Sequence, residues 1–89
     1  MTINYTKHVY DKLKLPEIIK LKIKLEDIAQ VLENPTHVDK SIMPHQTVGD
    51  LSSTLSLSVI WKIKDGIMKV ITFYPAKKGR YESKILRRR

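Results

Sequence analysis

The fold is decided by residues 54–76, TLSLSVIWKIKDGIMKVITFYPA. Apolar residues occupy alternate positions in the first half of this stretch, with serine or lysine between most of them, as in a strand with one buried face. The alternating set is Leu55, Leu57, Val59, Trp61 and Ile63. Asp65-Gly66 then provides the two residues that most readily take the positive φ angles of a two-residue hairpin turn. We therefore predict a β-hairpin with Trp61 in the core.

The position of this turn fixes a register for the hairpin. The predicted partners are Ile63 with Met68, Trp61 with Val70, and Val59 with Thr72. The opposite face then carries a partly apolar set, comprising Ile60, Ile67, Ile71 and Phe73. Because proline lacks the N–H that a strand needs for its ladder, we expect Pro75 to end the second strand at Tyr74.

Upstream of the hairpin the apolar spacing becomes helical. Thr6 is a candidate N-cap for a first helix, and a second helix is indicated from Leu25 to the stop at Asn34-Pro35. The intervening residues 16–24 fit helix and strand poorly and are interpreted as helix. Short strands are expected near residues 3–5 and 36–43, and MPHQTVGDLSS, residues 43–53, is interpreted as a loop or hairpin connection.

Together these elements predict an α+β domain. We expect a small antiparallel sheet of three to four strands, with two N-terminal helices packed on one face. Residues 1–86 are expected to form one domain, because 89 residues allow a single small core, and residues 87–89 a basic C-terminal tail.

The composition excludes several classes of protein. Cysteine is absent, which excludes a disulfide framework and thiolate metal sites and fits a reducing cytoplasm, where we expect the protein to reside. No run of about 18 apolar residues is present, so no membrane partner is expected. His37 and His45 match no metal-ligand spacing, and no metal or cofactor is predicted.

The net charge of +8 indicates a polyanionic partner, and its location is informative. Residues 76–89, here called the basic segment, hold seven basic residues and one acid, which accounts for +6 of the total. Clustered charge of one sign attracts phosphates far better than scattered lysines do. The basic members are Lys77, Lys78, Arg80, Lys84, Arg87, Arg88 and Arg89.

Three short stretches carry a resemblance to a known family. They are YTKH at residues 5–8, VLENP at residues 31–35 and ITFYPA at residues 71–76. With this order of elements the chain resembles the RelE/ParE-like toxin superfamily, near the BrnT-like toxins, over residues 3–82. The chain departs from that family in the longer, Lys- and Ile-rich stretch at residues 15–24, and an arginine expected near that turn is absent.

The resemblance implies a RelE-like fold and a toxin-type protein that binds RNA, in active members cleaving messenger RNA, including ribosome-bound messenger. It also implies a cognate antitoxin as partner, and leaves open a homodimer. The family's recurrent histidine falls on His8, and its basic residues after the last long strand fall on Lys77, Lys78 and Arg80, with Tyr81 beside them.

RNA cleavage without a metal needs a proton carrier, cationic donors for the phosphate and an acid for the leaving oxygen. His8, Arg80 and Tyr81 are the catalytic candidates. The candidates for nucleic-acid binding are Lys77, Lys78, Arg80, Lys84 and Tyr74, the tyrosine as a platform for unpaired bases.

Two other hypotheses remain open at this point. One is a non-catalytic nucleic-acid-binding or regulatory protein of the same fold. The other is a protein-interaction module that uses the apolar face with Ile60, Ile67, Ile71 and Phe73.

Overall fold

A computed structural model describes residues 2–77, which form five strands and three helices. In chain order the elements are β1 (Ile3–Tyr5), α1 (Lys7–Leu13), α2 (Pro16–Lys20), α3 (Leu25–Glu33), β2 (His37–Asp39), β3 (His45–Asp50), β4 (Leu55–Lys64) and β5 (Ile67–Lys77). The strands form one sheet in the order β1-β5-β4-β3-β2. The pair β1–β5 is parallel and the other pairs are antiparallel. The predicted α+β class is confirmed.

The sheet is larger than predicted, and it is mixed rather than purely antiparallel. The largest difference is β3, because its residues were interpreted as a loop or hairpin connection. HQTVGD has no apolar alternation, but all six residues pair with β4. The indole N–H of Trp61 also donates a buried 2.7 Å hydrogen bond to the Thr47 hydroxyl. Pairing with a strongly patterned neighbour overrides the weak local preference of this segment.

Pro16 and a turn at Lys22 divide the helical region into three helices where two were predicted. Pro16 occupies the first turn of α2, where its missing N–H is harmless, and Leu15 before it is extended. Lys22 has a φ of 58° and turns the chain between α2 and α3. The third helix begins at Leu25, and the Asp27 carboxylate accepts a 2.8 Å hydrogen bond from the Lys24 backbone N–H.

The β4–β5 hairpin has the predicted turn and two of the three predicted residue pairs. Asp65 and Gly66 both have positive φ, 53° and 75°. Ile63 pairs with Met68 and Trp61 pairs with Val70, as predicted. Beyond Val70 the ladder shifts, because Ile71 is an extra residue that has no partner on β4. Val59 therefore pairs with Phe73, and the predicted pairing with Thr72 is wrong.

This bulge exchanges the faces of two neighbouring aromatic residues. Phe73, predicted on the partly wet face, has no exposed surface and packs in the core. Tyr74 points the other way and is 47% exposed. The strand also continues past Pro75 to Lys77, contrary to the prediction. Within residues 2–77, β1 pairs with β5 only up to Val70, so Pro75 lies where no described strand flanks β5 on its outer side.

The core joins helical residues to the alternating residues of the hairpin. It contains Val9, Ile18, Ile23, Ile28, Val31, Leu57, Val59, Trp61, Val70 and Phe73. Gly49 of β3 allows α3 to approach, because a Cβ at this position would lie 3.0 Å from Val31 Cγ1. Ser56 and Ser58, predicted on the polar face of β4, are fully buried as well. In residues 2–77 every helix is too short or too polar to cross a bilayer.

Candidate nucleic-acid interface

The candidate site lies where β1 ends and α1 continues beside β5. Thr6, between these elements, donates two hydrogen bonds to the bulge region of β5. Its backbone N–H donates to the Val70 carbonyl at 3.1 Å, and its hydroxyl donates to the Ile71 carbonyl at 2.9 Å. These hydrogen bonds fix the start of α1 against the bulge at Ile71, and Lys12 of the same helix contacts Phe73 and Tyr74 further along β5.

A groove of about 430 Å³ lies between α1 and β5. We call it the β5 groove, and its lining residues are His8, Asp11, Lys12, Leu15 and Tyr74. The first four are spaced i, i+3, i+4 and i+7, so they follow one stripe along α1 and the turn after it. Val9, which is offset from this stripe, is buried in the core. One short helix therefore supplies both a core contact and a polar wall.

Lys12 occupies an unusual position in this groove. Its ammonium nitrogen lies 3.8 Å from the centroid of the Tyr74 ring and 5.3 Å from that of Phe73. Burial lowers the pKa of this ammonium below its ordinary value of 10.5. Among residues 2–77 these two rings are the partners of the ammonium. The cation is held by ring faces, which attract it without neutralising its charge.

The structure brings together two of the residues selected from the sequence. His8, exposed on the first turn of α1, and Tyr74, on the far strand, line the same groove although 66 positions separate them. Lys77 is exposed at the end of β5, three residues beyond Tyr74, or about 10 Å along an extended strand. The other selected residues, Lys78, Arg80, Tyr81 and Lys84, lie outside the described residues, as does the tail at 87–89.

The two other histidines are not in the groove. The His45 ring packs against Trp61 edge-on with centroids 4.8 Å apart, and its Nδ1 lies 3.0 Å from the Ile42 carbonyl oxygen. Since a carbonyl only accepts, this ring nitrogen carries the proton. Across residues 2–77 no cluster of three or more histidine or acidic side chains is placed to hold a metal ion.

The apolar face suggested for a protein partner is smaller than predicted. Phe73 belongs to the core, and Ile60, Ile67 and Ile71 are half-buried. Exposed apolar side chains occur instead around α2, at Leu15, Ile19 and Leu21. Lysines interleave with this second set, so its surface is both apolar and cationic.

The sequence reasoning missed Asp11, Lys12 and Leu15. The available signal was their helical spacing from His8, which places all four side chains on one stripe. Their proximity to Tyr74 depends on the bulge at Ile71, and no local pattern marks that bulge. Comparison of the chain with protein-family models, with curated proteins and with solved structures found no match.

Proposed function

We propose that this protein binds RNA through the β5 groove and the basic segment, and that it cleaves RNA as a RelE-like, toxin-type endoribonuclease. One observation carries the proposal. An imidazole, an ammonium and a half-exposed aromatic ring line one groove, beside the strand that leads into the basic segment. These groups respectively move protons, bind phosphate and stack on bases.

The proposed architecture is the RelE-like one, with the helices packed on one side of the sheet. The element order supports it, since a first strand and the helices precede a run of antiparallel strands. Helical residues also share one core cluster with Leu57, Val59 and Trp61, which alternate along β4 and therefore lie on the same face.

The proposed reaction is an internal transesterification and needs no metal. A base removes the proton of a ribose 2′-OH, the 2′-oxygen attacks the adjacent phosphorus, and the bond to the 5′-oxygen breaks as that oxygen takes up a proton. The products are a 2′,3′-cyclic phosphate and a free 5′-hydroxyl. We assign His8 to proton transfer, Arg80 to the charge on the phosphate, and Tyr81 to the leaving oxygen.

The test is cleavage of a labelled single-stranded RNA by the purified full chain in the presence of a chelator. We expect cyclic-phosphate products, and a loss of rate of about 10²–10⁴-fold in His8→Ala, the usual contribution of a proton carrier. Arg80→Ala should be similarly impaired. Lys64→Ala removes an equal charge at the exposed hairpin tip and should cleave normally.

Intact RNA with the wild-type chain would contradict the catalytic part of the proposal. If binding still weakens steeply with salt, the non-catalytic nucleic-acid-binding alternative is the correct one. If neither binding nor cleavage occurs, the RNA proposal as a whole is wrong.

We also propose a protein partner, in keeping with an antitoxin, at the exposed side chains around α2. Leu15, Ile19 and Leu21 offer apolar contacts, and three lysines interleave with them at positions 20, 22 and 24. The complementary occupant is an acidic segment that also carries apolar residues. Co-expression with an acidic protein encoded in the neighbouring reading frame should give a complex that Ile19→Glu dissociates. A complex unaffected by this substitution would place the partner elsewhere.

A further inference from the structure

Lys12 has a position that the proposed reaction does not require. Lysine ammonium groups are strongly hydrated and usually extend into water, at the end of a flexible stem. The Lys12 ammonium instead lies 3.8 Å from the centroid of the Tyr74 ring. It is partly removed from water there, and this burial lowers its pKa. Residues 2–77 offer it no neutralising carboxylate contact. A charge fixed in this way is prepared to meet an anion entering the groove.

The Tyr74 ring has a second role in the same geometry. Lys12 covers one of its faces, yet 47% of the residue stays exposed. Accessible ring surface therefore remains beside a fixed positive charge. A nucleotide carries the complementary groups: a flat base that can stack on the ring and, a short distance away, a phosphate that can bind the ammonium.

We propose that Lys12 and Tyr74 together form a subsite for one unpaired nucleotide, with the phosphate on the Lys12 ammonium and the base stacked on Tyr74. This inference rests on the proposed RNA binding and makes it specific for single strands. In a duplex both faces of each base are already occupied by neighbouring bases, so only an unpaired base can use the ring.

Asp11 provides an internal check on this assignment. It lines the same groove one residue before Lys12, and its carboxylate opposes the approach of a phosphate. An anion subsite should therefore improve when this charge is removed. If the contact between Lys12 and the rings were only structural, removing the Asp11 charge would not strengthen RNA binding.

The experiment measures binding of the full chain to a labelled single-stranded RNA and to the duplex of the same sequence, over a salt series. We expect preference for the single strand by at least about tenfold. Lys12→Met keeps the length of the side chain and removes the charge, and it should weaken single-strand binding by about 5- to 30-fold. The slope of log affinity against log salt should fall by about 0.7, as expected for one lost phosphate contact.

The remaining variants separate charge from stacking. Tyr74→Leu should weaken single-strand binding by about 5- to 100-fold, within the range for the loss of one stacked base. Tyr74→Phe keeps the ring and should bind single-stranded RNA more tightly than Tyr74→Leu does. Asp11→Asn should bind more tightly, and Lys64→Met, with the same charge change outside the groove, should match the wild type in single-strand preference.

Thermal melting of each variant controls for folding, and Lys12→Arg provides a second test that retains the charge. Unchanged RNA affinity in Lys12→Met together with a lower melting temperature would overturn the subsite and identify a structural contact. Equal affinity for single strand and duplex would overturn it as well. In both cases RNA binding itself would survive, whereas failure of the wild type to bind any RNA would overturn both proposals.

Discussion

Two regions of the molecule differ in how their polar groups are placed. One is the region where β3, β4 and α3 meet, and the other is the edge where α1 runs beside β5. In the first region, Trp61 is buried, its N–H is satisfied by Thr47, and Gly49 lets Val31 approach the sheet. At the edge, no strand among residues 2–77 flanks β5 beyond Val70, and α1 leaves a groove where the Lys12 ammonium lies over the half-exposed Tyr74 ring. In the described part of the chain, the imidazole, ammonium and phenol of the groove therefore lie at the sheet edge, and the Trp61 N–H is satisfied within the core.

The largest difference in stability is expected between substitutions at two adjacent residues, Phe73 and Tyr74. Phe73→Ala should destabilise the protein by about 3–5 kcal/mol, because it opens a cavity in the core. Tyr74→Ala should cost less than about 1 kcal/mol, since the ring is half exposed. Urea denaturation of both variants measures the difference. Similar losses would mean that Tyr74 contributes to the packed interior and that the contrast between the two faces is wrong.

A larger side chain at Gly49 would prevent the close approach of α3 to β3. We expect Gly49→Ala to destabilise the protein by about 1–3 kcal/mol, because the added methyl group meets Val31 at 3.0 Å. The double variant with Val31→Ala should lose less than the sum of the two single losses, since the smaller side chain makes room. Additive losses in denaturation experiments would show that these two residues do not limit the helix–sheet distance.

A smaller effect is expected at the buried hydrogen bond of the same region. Thr47→Val keeps the shape of the side chain and leaves the Trp61 N–H without its acceptor, at a cost of about 1–2 kcal/mol. Thr72→Val is the matched control, since the buried Thr72 hydroxyl has no hydrogen-bond partner among residues 2–77. That variant should be neutral or more stable. Equal losses in both would indicate that the hydroxyl of Thr47 is not the source of the stabilisation.

The smallest expected effect concerns Tyr5, at the boundary between β1 and α1. Burial, with smaller contributions from Tyr10 and Glu26, raises the pKa of its phenol above 10.0. The folded state therefore retains this proton to higher pH than the unfolded state does. Its contribution to the free energy of unfolding is complete below pH 10 and is lost as the pH rises above that value.

Tyr5→Phe should consequently show a shallower loss of stability between pH 9 and 11 than the wild type does. Urea midpoints across this interval measure the slope, and Tyr74→Phe serves as a control at an exposed tyrosine. Identical slopes for Tyr5→Phe and wild type would show that the Tyr5 phenol is not shielded.

The elements with strong internal patterns were predictable from the sequence. Alternation along β4 and the Asp65-Gly66 turn predicted the hairpin and two of its pairs, and helical spacing after Leu25 predicted α3. The third strand was not predictable, because its pairing depends on β4 and not on its own residues. The bulge at Ile71 was not predictable either, since Val70, Ile71 and Thr72 read as an ordinary strand.

The candidate site divides in the same way. Residue chemistry was enough to select His8 and Tyr74, whose roles remain proposals, and the structure then put them in one groove. Lys12 was missed because its distinction is a contact across the fold, 3.8 Å from a ring 62 positions away. The sequence around a lysine in a helix of seven residues does not indicate such a contact.

The unpaired Ile71 makes the contact between β5 and the start of α1 sensitive to the loss of one residue. Substitutions along β5 alter one side chain at a time and leave inward and outward positions as they are. Loss of the Ile71 codon would leave the phenylalanine opposite Val59 and the tyrosine pointing outward, but it would remove the carbonyl that accepts the hydrogen bond from the Thr6 hydroxyl. Related chains should therefore vary freely in residue type here while keeping the number of residues from the hairpin turn constant.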